Sequence, residues 1–166
     1  GWHHFEEIQR TGMIVKDPLG YGKNGVQPGS TVAEWASLVD VYPTVLDLAG
    51  GTPPPEHVHG QSLLPLLRGE AVDWRDTAFV EFNGVNSISA TLLTCRHGDL
   101  KYGWNAGSRE ELYDLAEDPY EMHDVSADPA YADRLDAMRA RLRAFCEETR
   151  HRSEEHTSEL QSLLII

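Results

Sequence analysis

SATLLTCRHGDLKYGW, residues 89–104, decides how the second half of this chain folds. Two strand-like runs flank Arg96-His97-Gly98-Asp99, and a glycine in so short a connection marks a hairpin. Just upstream, TAFVEF (77–82) carries an equally strong strand signal, and residues 111–115 supply one more. Downstream, Asp128 stands as an N-cap with Pro129 at the first helical position, predicting a helix from 128 to about 151. Within it Tyr131, Leu135, Met138, Leu142 and Phe145 form a single apolar stripe. Burying each is worth roughly 1.5–3 kcal/mol before entropy, enough to dock the helix across a small sheet. From residue 77 onward the expectation is therefore an α+β unit, antiparallel strands covered on one face by a C-terminal helix.

The first seventy residues read differently. FEEIQR (5–10) suits a short helical turn, and Met13-Ile14-Val15 is an apolar run fit for a buried strand. DPLGYGKNGVQPGS (17–30) has four Gly and two Pro, which is loop composition. Val39 is expected to end a strand, and Asp40 precedes a helix over about 41–49. Val41, Val45 and Leu48 recur there at helical spacing, Pro43 falls in the first turn, and Gly50-Gly51 supplies the stop. PPPEHVHGQSLLPLLRGE (53–70) predicts a stiff turn and a short helix from Ser62. These read as closing segments of a larger α/β layer, so the expected division is 1–70 and 71–151.

Residues 152–166 are expected to lie outside the fold. RSEEHTSELQS (152–162) matches the translation of a widely used sequencing adapter over eleven residues. The opening, GWHHFEEIQR, has neither an initiator Met nor a signal-peptide pattern and reads as a cut within something longer.

A formal charge of -13 argues against a nucleic-acid partner, because too few cations would replace counterions on phosphate. Arg134, Arg139, Arg141 and Arg143 sit among acids on the predicted helix and read as a solvated face. No apolar run approaches the roughly 20 residues a bilayer requires, so no membrane partner is expected. Two cysteines, Cys95 and Cys146, make no disulfide framework and fit a reducing compartment. Both are expected to be buried or inert, since neither has a base partner in the sequence pattern.

ELYDLAEDPYEMHDV (111–125) packs six carboxylates into fifteen residues and invites a metal. It fails as a calcium loop: counted from Asp114, the third position is Ala116 and the sixth is Pro119. A strand and an Asp118-Pro119 turn with solvated acids is the better account. Glu56-His57-Val58-His59 has His-pair spacing but follows three prolines, where a strand is disfavoured. His3, His4, Glu6 and Glu7 can meet on a helical turn but need a third ligand from elsewhere. No phosphate loop, G-x-S-x-G elbow or C-x-x-C occurs, so catalytic and metal-ligating residues are not expected in this chain.

Four stretches, in order, resemble the C-terminal third of the sulfatase family in the alkaline-phosphatase-like superfamily. They are FEEIQRTGMIVKDP (5–18), SLVDVYPTVLDLAG (37–50), HGQSLLPLLRGE (59–70), and LKYGWN (100–105) with ELYDLAEDPYEMHDV. The resemblance covers residues 1–151, with Gly12 where the family usually has Pro and Asp124 where it often has Asn. It implies a fold made of the last segments of an alkaline-phosphatase-like α/β/α domain plus a small antiparallel sheet packed by a C-terminal helix. It also implies hydrolysis of a small-molecule sulfate ester by a hydrated formylglycine, with calcium or another divalent cation in the full-length parent.

The formylglycine motif C-x-P/A-x-R, the metal ligands and a catalytic Lys would all precede Gly1. The chain is thus expected to be inactive alone and to bind no metal itself. The resemblance leaves Trp2, His3 and His4 on the substrate side, with Asn83 or Asn86 after the 77–82 strand. A phosphodiesterase or phosphonate ester hydrolase of the same superfamily, or a non-catalytic binding module, are the alternatives.

Overall fold

A computed structural model describes residues 4–17, 25–52, 59–85, 88–106 and 108–149. The chain divides into two compact units, Gly12–Ala78 and a second made of Gly1–Thr11 with Phe79–Ile166. The elements are α1 (Glu6–Gln9), α2 (Val41–Leu48), α3 (Leu64–Leu67), β1 (Thr77–Val85), β2 (Ile88–His97), β3 (Leu100–Asn105), β4 (Glu111–Asp114) and α4 (Ala132–Glu148). Single 3-10 turns at Leu38–Asp40 and Pro129–Tyr131 lead into α2 and α4.

In the unit Gly12–Ala78 a buried polar knot replaces a large core. Asp40 is fully buried. Its Oδ2 accepts the Ser37 N–H at 2.8 Å and its Oδ1 accepts the Gln61 N–H at 2.9 Å, while the Arg75 guanidinium pairs with the same Oδ1. The Thr44 hydroxyl donates to the Asp40 carbonyl at 2.6 Å and accepts the Leu63 N–H at 2.9 Å. Both ends of the 60–64 segment are thereby tied to the start of α2. Gly50, at φ +76°, ends that helix as its double glycine predicted.

Met13-Ile14-Val15 departs from expectation. It forms no strand, and Ile14 is 97% exposed. An apolar triplet becomes a strand only beside another whose ladder satisfies its backbone, and among the described residues none pairs with it. Val39, expected at a strand end, lies in the 3-10 turn before α2.

The second unit is a four-stranded sheet in the order β1-β2-β3-β4. β2 and β3 are antiparallel with Cys95 opposite Tyr102, and β3 and β4 are antiparallel with Tyr102 opposite Leu112. Gly98-Asp99 is the two-residue turn between β2 and β3, with Gly98 left-handed at φ +56°. Strand alternation sends Leu93, Cys95, Tyr102, Trp104 and Leu112 to one face, where they pack against Leu135, Met138 and Leu142 of α4. Tyr131 and Phe145 complete the stripe, and the Phe145 ring stacks on Phe79 with centroids 4.1 Å apart. Asp128 caps the helix entry by accepting the Ala130 N–H at 2.9 Å.

Of the α4 arginines, Arg134 is exposed as expected, whereas Arg139 and Arg141 are half-buried and meet groups of the sheet unit. Arg139 grips Glu110 through two nitrogens, one of them at 2.9 Å, and Arg134 reaches Asp114 at 3.2 Å. Arg141 lies 3.1 Å from the His97 ring nitrogen. These acids all sit on the segment that enters or forms β4, so helix and sheet edge are joined by charge as well as by apolar contact.

Candidate functional site

The sheet face turned away from α4 carries Thr94 and Arg96 on β2 and Lys101 on β3, where Arg96 stands directly opposite Lys101. Two cations side by side, one of them buried, demand anions. Lys101 is 3% exposed, and its Nζ lies 2.6 Å from Glu121 Oε1 and 3.4 Å from Glu6 Oε1. Arg96 pairs with the other oxygen of Glu6. Glu121 also accepts the backbone N–H of Glu6 through Oε2 at 2.7 Å. Two acids and two bases thus close a buried ring over the sheet. Lys101 and Glu121 are its buried members, Glu6 and Arg96 keep some exposure, and Lys101 touches both acids, so the loss of one leaves it the other.

Glu121 comes from the acidic stretch that follows β4. Its neighbours behave as turn-formers. Asp118 accepts the His123 N–H at 2.7 Å, and Asp124 accepts those of Leu112 at 3.1 Å and Ser126 at 2.9 Å. The expectation of solvated acids fails at Glu121, which is 5% exposed, because Lys101 repays its desolvation. Its backbone is left-handed at φ +55°, a conformation that costs a non-glycine residue of order 1 kcal/mol.

The ring fastens the segment containing His4. The His4 ring shares a hydrogen bond between Nδ1 and the Thr94 hydroxyl, and stands edge-on to Phe82 with centroids 6.4 Å apart. Burial, and then the nearby Lys101 charge, lower its pKa to about 4. At neutral pH His4 is therefore an uncharged imidazole, able to donate or accept a hydrogen bond but not to supply positive charge.

Asn83 is exposed and donates to Glu81, two residues back on β1. That places it on the strand parity of Phe79, which meets α4, whereas His4 meets Phe82 on the other parity. Strand alternation thus puts Asn83 and Phe82, the ring that His4 meets, on opposite faces of β1. His3, Trp2, Asn86 and His57 lie outside the described residues.

Both cysteines are poor nucleophiles. Burial pushes the Cys95 thiol up to about 12, and it donates to the Met138 carbonyl at 3.7 Å. Burial likewise raises Cys146 to about 11. Among the described residues no group of three or more His, Cys, Asp or Glu side chains could hold a metal ion, so the implied divalent cation finds no donor set there. Among them, too, no helix is long and apolar enough to cross a membrane.

The four-stranded sheet closed by one helix is matched in solved sulfatase structures, which places the chain in the alkaline-phosphatase-like class. Residues 2–148 match the family described as N-sulphoglucosamine sulphohydrolase, C-terminal, and the chain belongs to that family. It is 30% identical over 135 residues to an N-acetylglucosamine-6-O-sulfatase of Bacteroides thetaiotaomicron, covering 77% of this chain and 23% of the relative. Among solved structures, a 2-O GAG sulfatase is 32% identical with a TM-score of 0.62, over 67% of this chain and 24% of that one. The phosphonate monoester hydrolase of Agrobacterium radiobacter is 30% identical with a TM-score of 0.65, over 71% of this chain and 26% of that one. The chain spans about a quarter of the length of the relatives it matches.

Proposed function

We propose that this chain is the C-terminal portion of an enzyme that hydrolyses a small-molecule sulfate ester with the help of a divalent cation, calcium above others. The match of residues 2–148 to a sulphohydrolase C-terminal family carries the proposal. The residues that carry the resemblance also have physical work in the fold. Asp40 and Thr44 tie the 60–64 segment to α2, and Glu121 ties the His4 segment to the sheet.

In that enzyme the contribution of this chain is binding and orientation. His4, with Nδ1 engaged by Thr94, keeps Nε2 for a polar contact on the substrate side, and His3 adjoins it in sequence. A neutral imidazole suits this role, since it can orient a sulfate oxygen by a directional hydrogen bond without adding a competing charge. Asn83, on the other strand parity, is left out of the proposed contact.

Sequencing the source DNA beyond both ends of this reading frame tests the proposal. An in-frame upstream C-x-P/A-x-R with acidic ligands and a Lys directly before Gly1 is the expected result. An upstream frame without them would leave a non-catalytic binding module and overturn the enzyme reading. The likeness to a phosphonate monoester hydrolase supports a second reading within the superfamily. Turnover of an aryl sulfate against a phenylphosphonate monoester by the extended product separates the two.

A further inference from the structure

The left-handed backbone at Glu121 poses a question that fold alone does not answer. A turn requiring φ near +55° is best served by Gly or Asn, and a buried glutamate there combines backbone strain with desolvation. Such a residue persists only where its side chain contributes more than the strain removes. The contacts show what it contributes. One carboxylate oxygen holds the Glu6 amide and the other holds Lys101, which also meets the Glu6 carboxylate. Across 115 residues of sequence, Glu121 is the direct tether between the turn after β4 and the segment that bears His4.

We propose that Glu121 is a positioning residue, which clamps the 4–10 segment to the sheet and thereby fixes where the His4 ring is presented. The inference rests on the reading of His4 as a substrate-side group. The side chain of Glu121 touches no substrate in this scheme. It acts through the Glu6 amide and through Lys101, and Arg96 locks the far side of Glu6. His4 then has one placement, set by Thr94 beneath it and Phe82 at its edge. A clamp of this kind matters because an orienting group displaced by about 1 Å can cost on the order of 100-fold in rate.

The test uses the full 166-residue chain and two variants. Glu121→Gly removes the carboxylate while relieving the left-handed backbone, so backbone strain does not confound it. Glu121→Gln keeps an acceptor for the Glu6 amide. The readouts are exchange of the Glu6 amide, the pH titration of the His4 ring by NMR, and exchange of ladder amides such as Cys95 and Tyr102.

In Glu121→Gly the Glu6 amide is expected to exchange at least about tenfold faster. The His4 pKa should move from about 4 toward its ordinary 6.5, while ladder amides stay within about twofold. In Glu121→Gln the Glu6 protection should return to within about threefold of the parent. An unchanged His4 titration in Glu121→Gly overturns the proposal. So does a loss of protection shared equally by the ladder, which would make Glu121 a general stabiliser, and so does a Gln variant that behaves like Gly. No readout involves turnover, so the clamp can fail while the sulfatase reading stands, and the reverse.

Discussion

Gly60 shows how strongly one position can be dictated. A Cβ placed there would sit 2.0 Å from the Val39 carbonyl oxygen and 2.9 Å from the Asp40 nitrogen, both backbone atoms that cannot swing aside. Gly60→Ala must therefore push the 60–64 segment off α2 and break the Gln61–Asp40 and Leu63–Thr44 hydrogen bonds together. Overpacking of this kind costs about 1–3 kcal/mol, and the loss of a partner for buried Asp40 adds to it. The expected outcome is at least tenfold faster amide exchange at Gln61 and Leu63, about 1.4 kcal/mol or more. Parent-like exchange at both amides would show that the segment accommodates the methyl group and that the close approach is unimportant.

Among the elements, α4 is where apolar packing concentrates. Met138 is buried at the centre of the stripe, between Leu135 and Leu142 and above Cys95, Tyr102 and Leu112. Met138→Ala is expected to destabilise the sheet unit by about 2–5 kcal/mol, the range for a buried large-to-small change. Urea unfolding followed by amide exchange of β2 and β3 measures it, and a change under about 1 kcal/mol would mean the core collapses around the deletion. This stripe was legible in the sequence, because helical periodicity and a capped start are local signals. The hairpin was legible for the same reason. Met13-Ile14-Val15 was misread, since a strand depends on partners that local sequence does not contain. Arg139 was misread too, as the acid that holds it, Glu110, lies 29 residues away before β4. Glu121 was hidden among five other carboxylates, and only the register of β2 against β3, which sets Arg96 beside Lys101, reveals why one of them is buried.

Over the whole molecule, two opposing effects govern the response to acid. The chain carries a formal charge of -13, so protonating exposed carboxylates relieves self-repulsion and favours the compact state. Against this stand His4 and Glu110. His4 has a folded pKa lowered to about 4 against 6.5 when unfolded, by burial first and the Lys101 charge second. Between those two values the unfolded state binds more protons than the folded one, so stability falls as pH falls. Glu110 has its pKa lowered first by its hydrogen bond from Arg139, so the stability it contributes above its ordinary value is lost as pH drops through the folded value. The two shifts act in the same direction. Repulsion between exposed charges is screened beyond about 3 Å at 1 M salt, whereas buried pairs are screened far less. In 1 M salt the urea midpoint of the sheet unit is therefore expected to fall steadily from pH 6.5 to 4, and His4→Gln, which removes the titrating ring, should flatten that slope. A midpoint that rises across this range in high salt would mean that His4 is not held neutral by the fold, and the account of its environment would have to be abandoned.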